Sequence, residues 1–156
     1  MRGAGHAVCL GSDIDTDQII AGRYLRTKDH SVWVSHIFED LDPALAGKLN
    51  GAVIVAGKNF GCGSSREQAA IALRETGVAA VIAPNFARIF FRNAINVGLP
   101  AIECRLSCIE GQNVRFDLAA GWVEAGGNQY PIRPLSPRMR EILTAGGLVN
   151  YWRVHR

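Results

Sequence analysis

Between residues 52 and 103 the chain alternates short apolar runs with helical patterns, and no other feature limits its fold so tightly. Ala52-Val53-Ile54-Val55-Ala56 is continuous and β-branched, the pattern of a strand buried on both faces, and Gly57 ends it. A glycine-rich loop, Gly57 to Gly63, then leads into Ser64-Ser65-Arg66-Glu67, which opens a helix running to about Glu75, with Gly77 as its stop. Val78 to Ala83 is the next strand, closed by Pro84. Phe86 to Val97 is a second amphipathic helix, stopped by Gly98, and Leu99 to Glu103 supplies a third strand. Connections this short imply a mostly parallel sheet flanked by helices, an α/β fold. The helix from Phe86 to Val97 is expected to turn Ile89, Phe90 and Ala94 toward the core. That leaves Arg88 and Arg92 to cap carboxylates or to meet a partner chain, and both options stay open.

A strand around Ala7 to Leu10 and a loop from Gly11 to Asp17 precede this core. Tyr24 to Asn50 is polar and irregular, with a helix expected around Val32 to Glu39. Beyond Cys104 the pattern breaks into short pieces, including a hairpin around Trp122 to Ile132 and a terminal helix from Pro137 to Ala145. A chain of 156 residues suits one domain, with its core at about 7–104 and a less regular C-terminal segment at about 105–156.

Composition narrows the function classes. With 48% hydrophobic and 20% charged residues, the chain describes a soluble globular protein with a real core. Its net charge of +3 is scattered, with no basic block interleaved with aromatics, so nucleic acid is not an expected partner. No apolar run approaches the roughly 20 residues of a spanning helix, and the N-terminus lacks a signal peptide's apolar stretch; a membrane is not expected either. The four cysteines form no C-x-x-C pair, and the histidines are not placed to complete a zinc set. Reduced thiols, no metal on this chain and a cytoplasmic location follow as expectations. Cys62 reads as a small loop residue, His30 and His36 as solvated, and Trp33, Trp122 and Trp152 as packing groups.

The chemistry concentrates at Gly57-Lys58-Asn59-Phe60-Gly61-Cys62-Gly63-Ser64-Ser65-Arg66-Glu67. Ser64 and Glu67 have the spacing of a capping box, which accounts for both residues without any function. Three features point further. A strand, a glycine-rich loop and a helix N-terminus together make an anion site. Gly61 and Gly63 let a ligand approach the backbone. Arg66 adds a planar fork for a carboxylate, and the same positive surroundings would let Ser64 act as a base. A Walker loop is excluded because Gly57-Lys58-Asn59 precedes the glycines rather than following them. The dinucleotide fingerprint fails for want of a third glycine. Asp13-Ile14-Asp15-Thr16-Asp17 is no EF-hand, since Gln18 and Tyr24 occupy its glycine and glutamate positions; an Asx-rich turn remains.

Several runs together resemble the small subunit of the isopropylmalate dehydratase and homoaconitase family, the detached swivel domain of aconitase. They are Asp13 to Ile20, Gly22-Arg23-Tyr24-Leu25, Phe38-Glu39-Asp40-Leu41-Asp42-Pro43, Val53 to Glu67, and Ala87 to Pro100. The resemblance spans about the first two thirds of the chain. It implies an aconitase-like swivelling β/β/α domain and a hydro-lyase that works with a large subunit carrying a 4Fe-4S cluster. It implies Ser64 as the base beside a substrate carboxylate, Arg66 as the carboxylate clamp helped by Ser65, Asp17 as an active-site aspartate, and Arg26 near a substrate-recognising arginine. Gln68 stands where many relatives have histidine, and Ala21 where proline is common. Isomerisation of 2- and 3-isopropylmalate in leucine biosynthesis is the first expectation, homoaconitase chemistry the second, and a non-catalytic scaffold subunit the third. Self-association of the isolated chain stays open.

Overall fold

Strand β1 (Arg2–Cys9) sits at the centre of a seven-stranded sheet and is shared by its two halves. The structure is a computed structural model, which describes residues 1–107 and 109–155. After β1 come the short helices α1 (Thr16–Ile19) and α2 (His30–Ser35), then the repeating unit β2 (Val53–Val55), α3 (Glu67–Glu75), β3 (Ala80–Ala83), α4 (Arg88–Asn96) and β4 (Ala101–Glu103). A hairpin-linked half follows, β5 (Asn113–Asp117), β6 (Trp122–Ala125) and β7 (Asn128–Pro131), and then α5 (Pro137–Ala145) and α6 (Leu148–Val154).

The sheet order is β4-β3-β2-β1-β5-β6-β7. The first four strands are parallel, with Ala7 opposite Val53, Val53 opposite Ala80 and Val81 opposite Ala101. From β1 outward on the other side every pairing is antiparallel, beginning with Arg2 opposite Asp117. The parallel half is the expected core. The antiparallel half is the segment expected to be less regular.

Side-chain alternation explains why the middle strands read as unbroken apolar runs. Ile54 and Val81 face one layer, where Ala69, Ala70 and Leu73 of α3 and Phe90 and Ala94 of α4 close over them. Val53, Val55 and Ile82 face the other layer, packed with Val114, Phe116, Val123 and, from α5, Ile142 and Leu143. Both faces are dry, so neither parity of the strand tolerates a polar residue.

Helix α5 has the bounds expected from its local signals. Ser136 accepts from the Met139 amide at 3.2 Å, Pro137 occupies the first helical position, and Gly146 turns left-handed at φ 87° to end it. Other expectations are corrected. Helix α2 ends at Ser35, earlier than expected, and α1 and α6 were not anticipated at all. Ile89 is 52% exposed rather than packed, and Ile95 takes the inward position with Phe90 and Ala94. Cys62 and Cys104 are free thiols, but Cys9 is disulfide-bonded, against the expectation of reduced thiols throughout. His30 and His36 are not merely solvated: His30 stacks on Trp33 at 4.5 Å and His36 on Tyr24 at 4.1 Å.

Candidate active site

The carboxyl ends of β1, β2 and β3 deliver three loops to one place, which is where open parallel sheets bind ligands. The loop after β2 is anchored by Phe60, fully buried and edge-on to Phe90 at 5.2 Å. Gly61 and Gly63 both adopt left-handed backbone, at φ 83° and 92°. A Cβ at Gly61 would fall 2.2 Å from Phe90 Cγ, and one at Gly63 would fall 2.5 Å from the Asp15 carboxylate. These glycines therefore make way for Phe90 and Asp15, not for a ligand as expected. Beneath them Asp13 and Asn59 are themselves left-handed, at φ 58° and 60°, and are joined by an Asn59 Nδ2 to Asp13 Oδ1 bond of 3.0 Å. Asn85, from the loop after β3, accepts from the Asn59 amide at 2.6 Å. Strained backbone is thus held from all three loops.

The capping box lies elsewhere than expected. Asp15 caps α1, accepting from the Asp17 amide at 2.6 Å, while Gln18 Oε1 accepts from the Asp15 amide at 2.9 Å. The Asx-rich turn is thereby present. At Ser64 no such box forms. The Arg66 amide donates back to the Ser64 carbonyl at 2.9 Å, a tight three-residue turn that delays α3 until Glu67 and leaves Arg66 at its cap position. The same carbonyl accepts from Thr16 Oγ1 at 2.8 Å, so α1 fixes the Ser64 backbone. Ser64 and Ser65 are exposed, and no described residue bonds to their hydroxyls.

Arg66 is held from behind. Its Nη1 donates to Asp17 Oδ1 at 2.7 Å and to the Ile20 carbonyl at 3.3 Å, and the Gly22 amide also donates to Asp17 Oδ1, at 3.1 Å. The Arg66 bond, and after it the Gly22 amide, hold the Asp17 carboxyl below its ordinary value. No described residue accepts from Nη2 or Nε of Arg66. Arg66 also lines a cleft of about 290 Å³, together with Thr16, Ser64, Ser65, Arg88 and Ile89 among others. The structure thus gathers four of the five residues expected from sequence: Ser64, Ser65 and Arg66 on the cleft, and Asp17 against Arg66. Arg26 is exposed, does not line this cleft and bonds to no described residue. Asp15 and Thr16 were read only as part of an Asx-rich turn, and Arg88 only as free to cap a carboxylate or meet a partner chain; none was expected at this site. The Asp15–Gln18 spacing, three residues apart like Ser64–Glu67, was the available signal for the first of them.

Residues 12–106, which include all three loops, match the family model described as the aconitase C-terminal domain. The chain belongs to this family. It is 48% identical over 153 residues to a 3-isopropylmalate dehydratase small subunit of Moorella thermoacetica, covering 94% of this chain and 92% of that one. It is also 48% identical over 146 residues to a methanogen homoaconitase small subunit of Methanothermobacter thermautotrophicus, covering 92% and 86%. The crystal structure of a 3-isopropylmalate dehydratase from Methanocaldococcus jannaschii superimposes with a TM-score of 0.94 at 46% identity, over 99% of this chain and 95% of that one.

Two further features belong to this aconitase C-terminal domain. Gly22 to Leu25, whose last two residues open the stretch read from sequence as irregular, is pinned. Arg23 forks onto Asp40 at 3.0 and 2.7 Å and reaches Glu39 at 2.8 Å, while the Tyr24 hydroxyl donates to Glu39 at 2.6 Å. His36 bonds the other Glu39 oxygen, and Trp33 Nε1 donates to the Tyr24 carbonyl at 3.0 Å. Tyr24, Arg23 and His36 hold the Glu39 carboxyl down at about 2. Among the described residues no three His, Cys, Asp or Glu side chains gather as a metal site. Burial, then Asp15 and Asp13, push the Cys62 thiol up, away from nucleophile or ligand character.

Proposed function

We propose that this chain is the small subunit of a cytoplasmic 3-isopropylmalate dehydratase, active in complex with a large subunit that carries a 4Fe-4S cluster. One observation carries the reading. Two serine hydroxyls with no partner among the described residues stand beside an arginine whose Nη1 is occupied by Asp17 and whose other guanidinium nitrogens meet no acceptor among the described residues. A carboxylate on those other nitrogens brings its neighbouring carbon toward Ser64.

The reaction is loss and return of water. Ser64, as alkoxide, takes the proton from the carbon next to the carboxylate held by Arg66; the electron pair forms the double bond, and the C–O bond of the neighbouring carbon breaks. Rehydration in the opposite sense returns the proton from Ser64 and places the hydroxyl on the other carbon. The cluster, when bound by the large subunit, supplies Lewis-acid activation of the departing hydroxyl. Arg66 and Ser65 orient the substrate, and Asp17 keeps the guanidinium aimed. Ile89, half exposed on the cleft wall, offers an apolar contact to a branched alkyl group.

The second reading is homoaconitase chemistry. It is favoured by the similarity to the methanogen homoaconitase small subunit and by the unpaired Arg26, which suits a third carboxylate. An anaerobic assay with the cluster-loaded large subunit of the same genome separates them. Faster turnover of 3-isopropylmalate than of homoisocitrate supports the first, and the reverse order makes Arg26 the specificity residue. No turnover of either, with a large subunit proven competent, sinks both.

A further inference from the structure

Arg88 is unassigned by everything above, yet it lines the same cleft as Ser64, Ser65 and Arg66. It is exposed, and no described residue offers it a hydrogen bond or an ion pair. It stands at the first position of α4, where the macrodipole disfavours a cation, and the residue before it, Ala87, provides no side-chain cap. The first amide of the α4 ladder to find a partner is that of Phe91, which donates to the Ala87 carbonyl at 3.0 Å. The amides of Arg88, Ile89 and Phe90 precede it, and all three residues line the cleft.

Charge bookkeeping then decides what the cleft is built to take. Its lining includes two guanidinium groups and no Asp or Glu. The carboxylates around it are committed elsewhere, Asp15 to the amides of α1, Asp17 to Arg66 Nη1, and Glu103, which shares a neighbouring groove with Arg88, to Arg133 Nη1 at 3.2 Å. Arg66 is thus half-compensated and Arg88 not at all. A monoanion on Arg66 would leave Arg88 and the uncapped α4 terminus facing it without a counter-charge. A dicarboxylate satisfies both.

Resting on the dehydratase reading above, we infer that Arg88 is a second carboxylate anchor, binding the substrate carboxylate remote from the reacting carbon. Arg66 holds the carboxylate whose α-proton Ser64 removes. Arg88 fixes the far end, so that rotation about the substrate's central bond is restrained while the double bond forms. The neighbouring Ile89 continues the same wall with an apolar surface. A groove against α5 is lined by both Arg88 and Arg92, but Arg92 does not line the cleft of Ser64 and Arg66 and has no part in this.

The test uses the assembled enzyme. Arg88→Gln should raise KM for 3-isopropylmalate about 10- to 100-fold, the worth of a charge-assisted carboxylate contact, with kcat much less affected. Arg88→Lys should recover part of the loss, since it keeps the charge and loses the fork. Arg92→Gln should match the wild type. A second readout uses inhibitors, isopropylsuccinate and its two monoamides. The Arg88→Gln effect on Ki should persist for one monoamide and vanish for the other, whose missing carboxylate identifies the group Arg88 holds. Equal Ki shifts for all three, or wild-type kinetics in Arg88→Gln, overturn the inference while the dehydratase reading stands. Weakened affinity for the large subunit with KM and Ki unchanged would make Arg88 an interface residue and overturn it as well. A wild-type complex without turnover brings down the underlying reading, and the inference with it.

Discussion

At the scale of single residues the chemistry depends on which partners a side chain already has. The Ser64 and Ser65 hydroxyls have none among the described residues, which is what the proposed substrate contact requires. Ser64→Ala removes the proposed base without disturbing the turn, because that turn is made by the Ser64 carbonyl with the Arg66 amide and Thr16 Oγ1. Turnover should fall by roughly 10²- to 10⁴-fold with affinity for the large subunit intact; unchanged turnover would leave only the scaffold role. Asp17→Asn tests the support behind Arg66. The pair is partly exposed, 24% on the arginine side and 60% on the aspartate side, so stability should change by less than about 1 kcal/mol. Loss of aim should instead lower kcat/KM about tenfold, read by steady-state kinetics beside a thermal melt. A drop in stability with kcat/KM unchanged would make Asp17 purely structural. Part of this candidate site was legible in the residues themselves, because Ser64 and Arg66 follow a strand and a glycine-rich loop at a helix start, whereas Ser65 and Asp17 came only with the family resemblance. What sequence spacing could not convey was the three-residue turn at Ser64. That turn moves the helix start to Glu67 and turns an expected capping serine into a free one.

At the scale of elements, local signals were legible and long-range pairings were not. Helix α5 has Ser136, Pro137 and Gly146 at its ends, all within its own segment, and it forms where expected. Strand β5 pairs with β1 across most of the chain, Arg2 opposite Asp117, and nothing local to Asn113–Asp117 announces that partner. The Gly22–Leu25 turn is another long-range product, since its anchors are Trp33, His36, Glu39 and Asp40. Its behaviour with pH can be worked out from Glu39, whose carboxyl is held at about 2 in the folded chain, against an ordinary value of roughly 4.3. A carboxyl depressed by folding contributes stability above its unfolded value and loses it as pH falls through the folded one. The turn should therefore hold at neutral pH and loosen from about pH 4 down toward 2. A carboxyl-carbon NMR titration should find the Glu39 midpoint near 2, moving up toward the ordinary value in Tyr24→Phe. A wild-type midpoint near 4.3 would mean that Tyr24 and Arg23 do not hold Glu39 in solution.

At the scale of the whole molecule the two faces of the sheet are expected to contribute separately to stability and to the proposed catalysis. The site is assembled at the carboxyl ends of β1, β2 and β3 and rests on the layer containing Phe60, Phe90 and α3. The opposite layer, with α5 and β5 to β7, packs on the sheet's other face and meets the site side only at its edge, where Phe86 and Arg88 share a groove with Ser136 and Met139. Leu143 lies deep in that far layer, 1% exposed, and Phe60 lies directly beneath Gly61. Leu143→Ala should cost about 2–5 kcal/mol through the cavity it leaves, yet the protein that remains folded should keep its kcat and KM in the assembled enzyme. Phe60→Leu should cost on the order of 1–3 kcal/mol and lower kcat disproportionately. The smaller side chain frees Phe90 to shift, and Gly61, three residues before Ser64, is seated against Phe90. Denaturant melts on each variant, paired with kinetics well below the melting temperature, separate the two effects. A loss of kcat in Leu143→Ala equal to that in Phe60→Leu would mean that the sheet transmits strain between its faces, and that the site is held by the whole fold rather than by the layer beneath it.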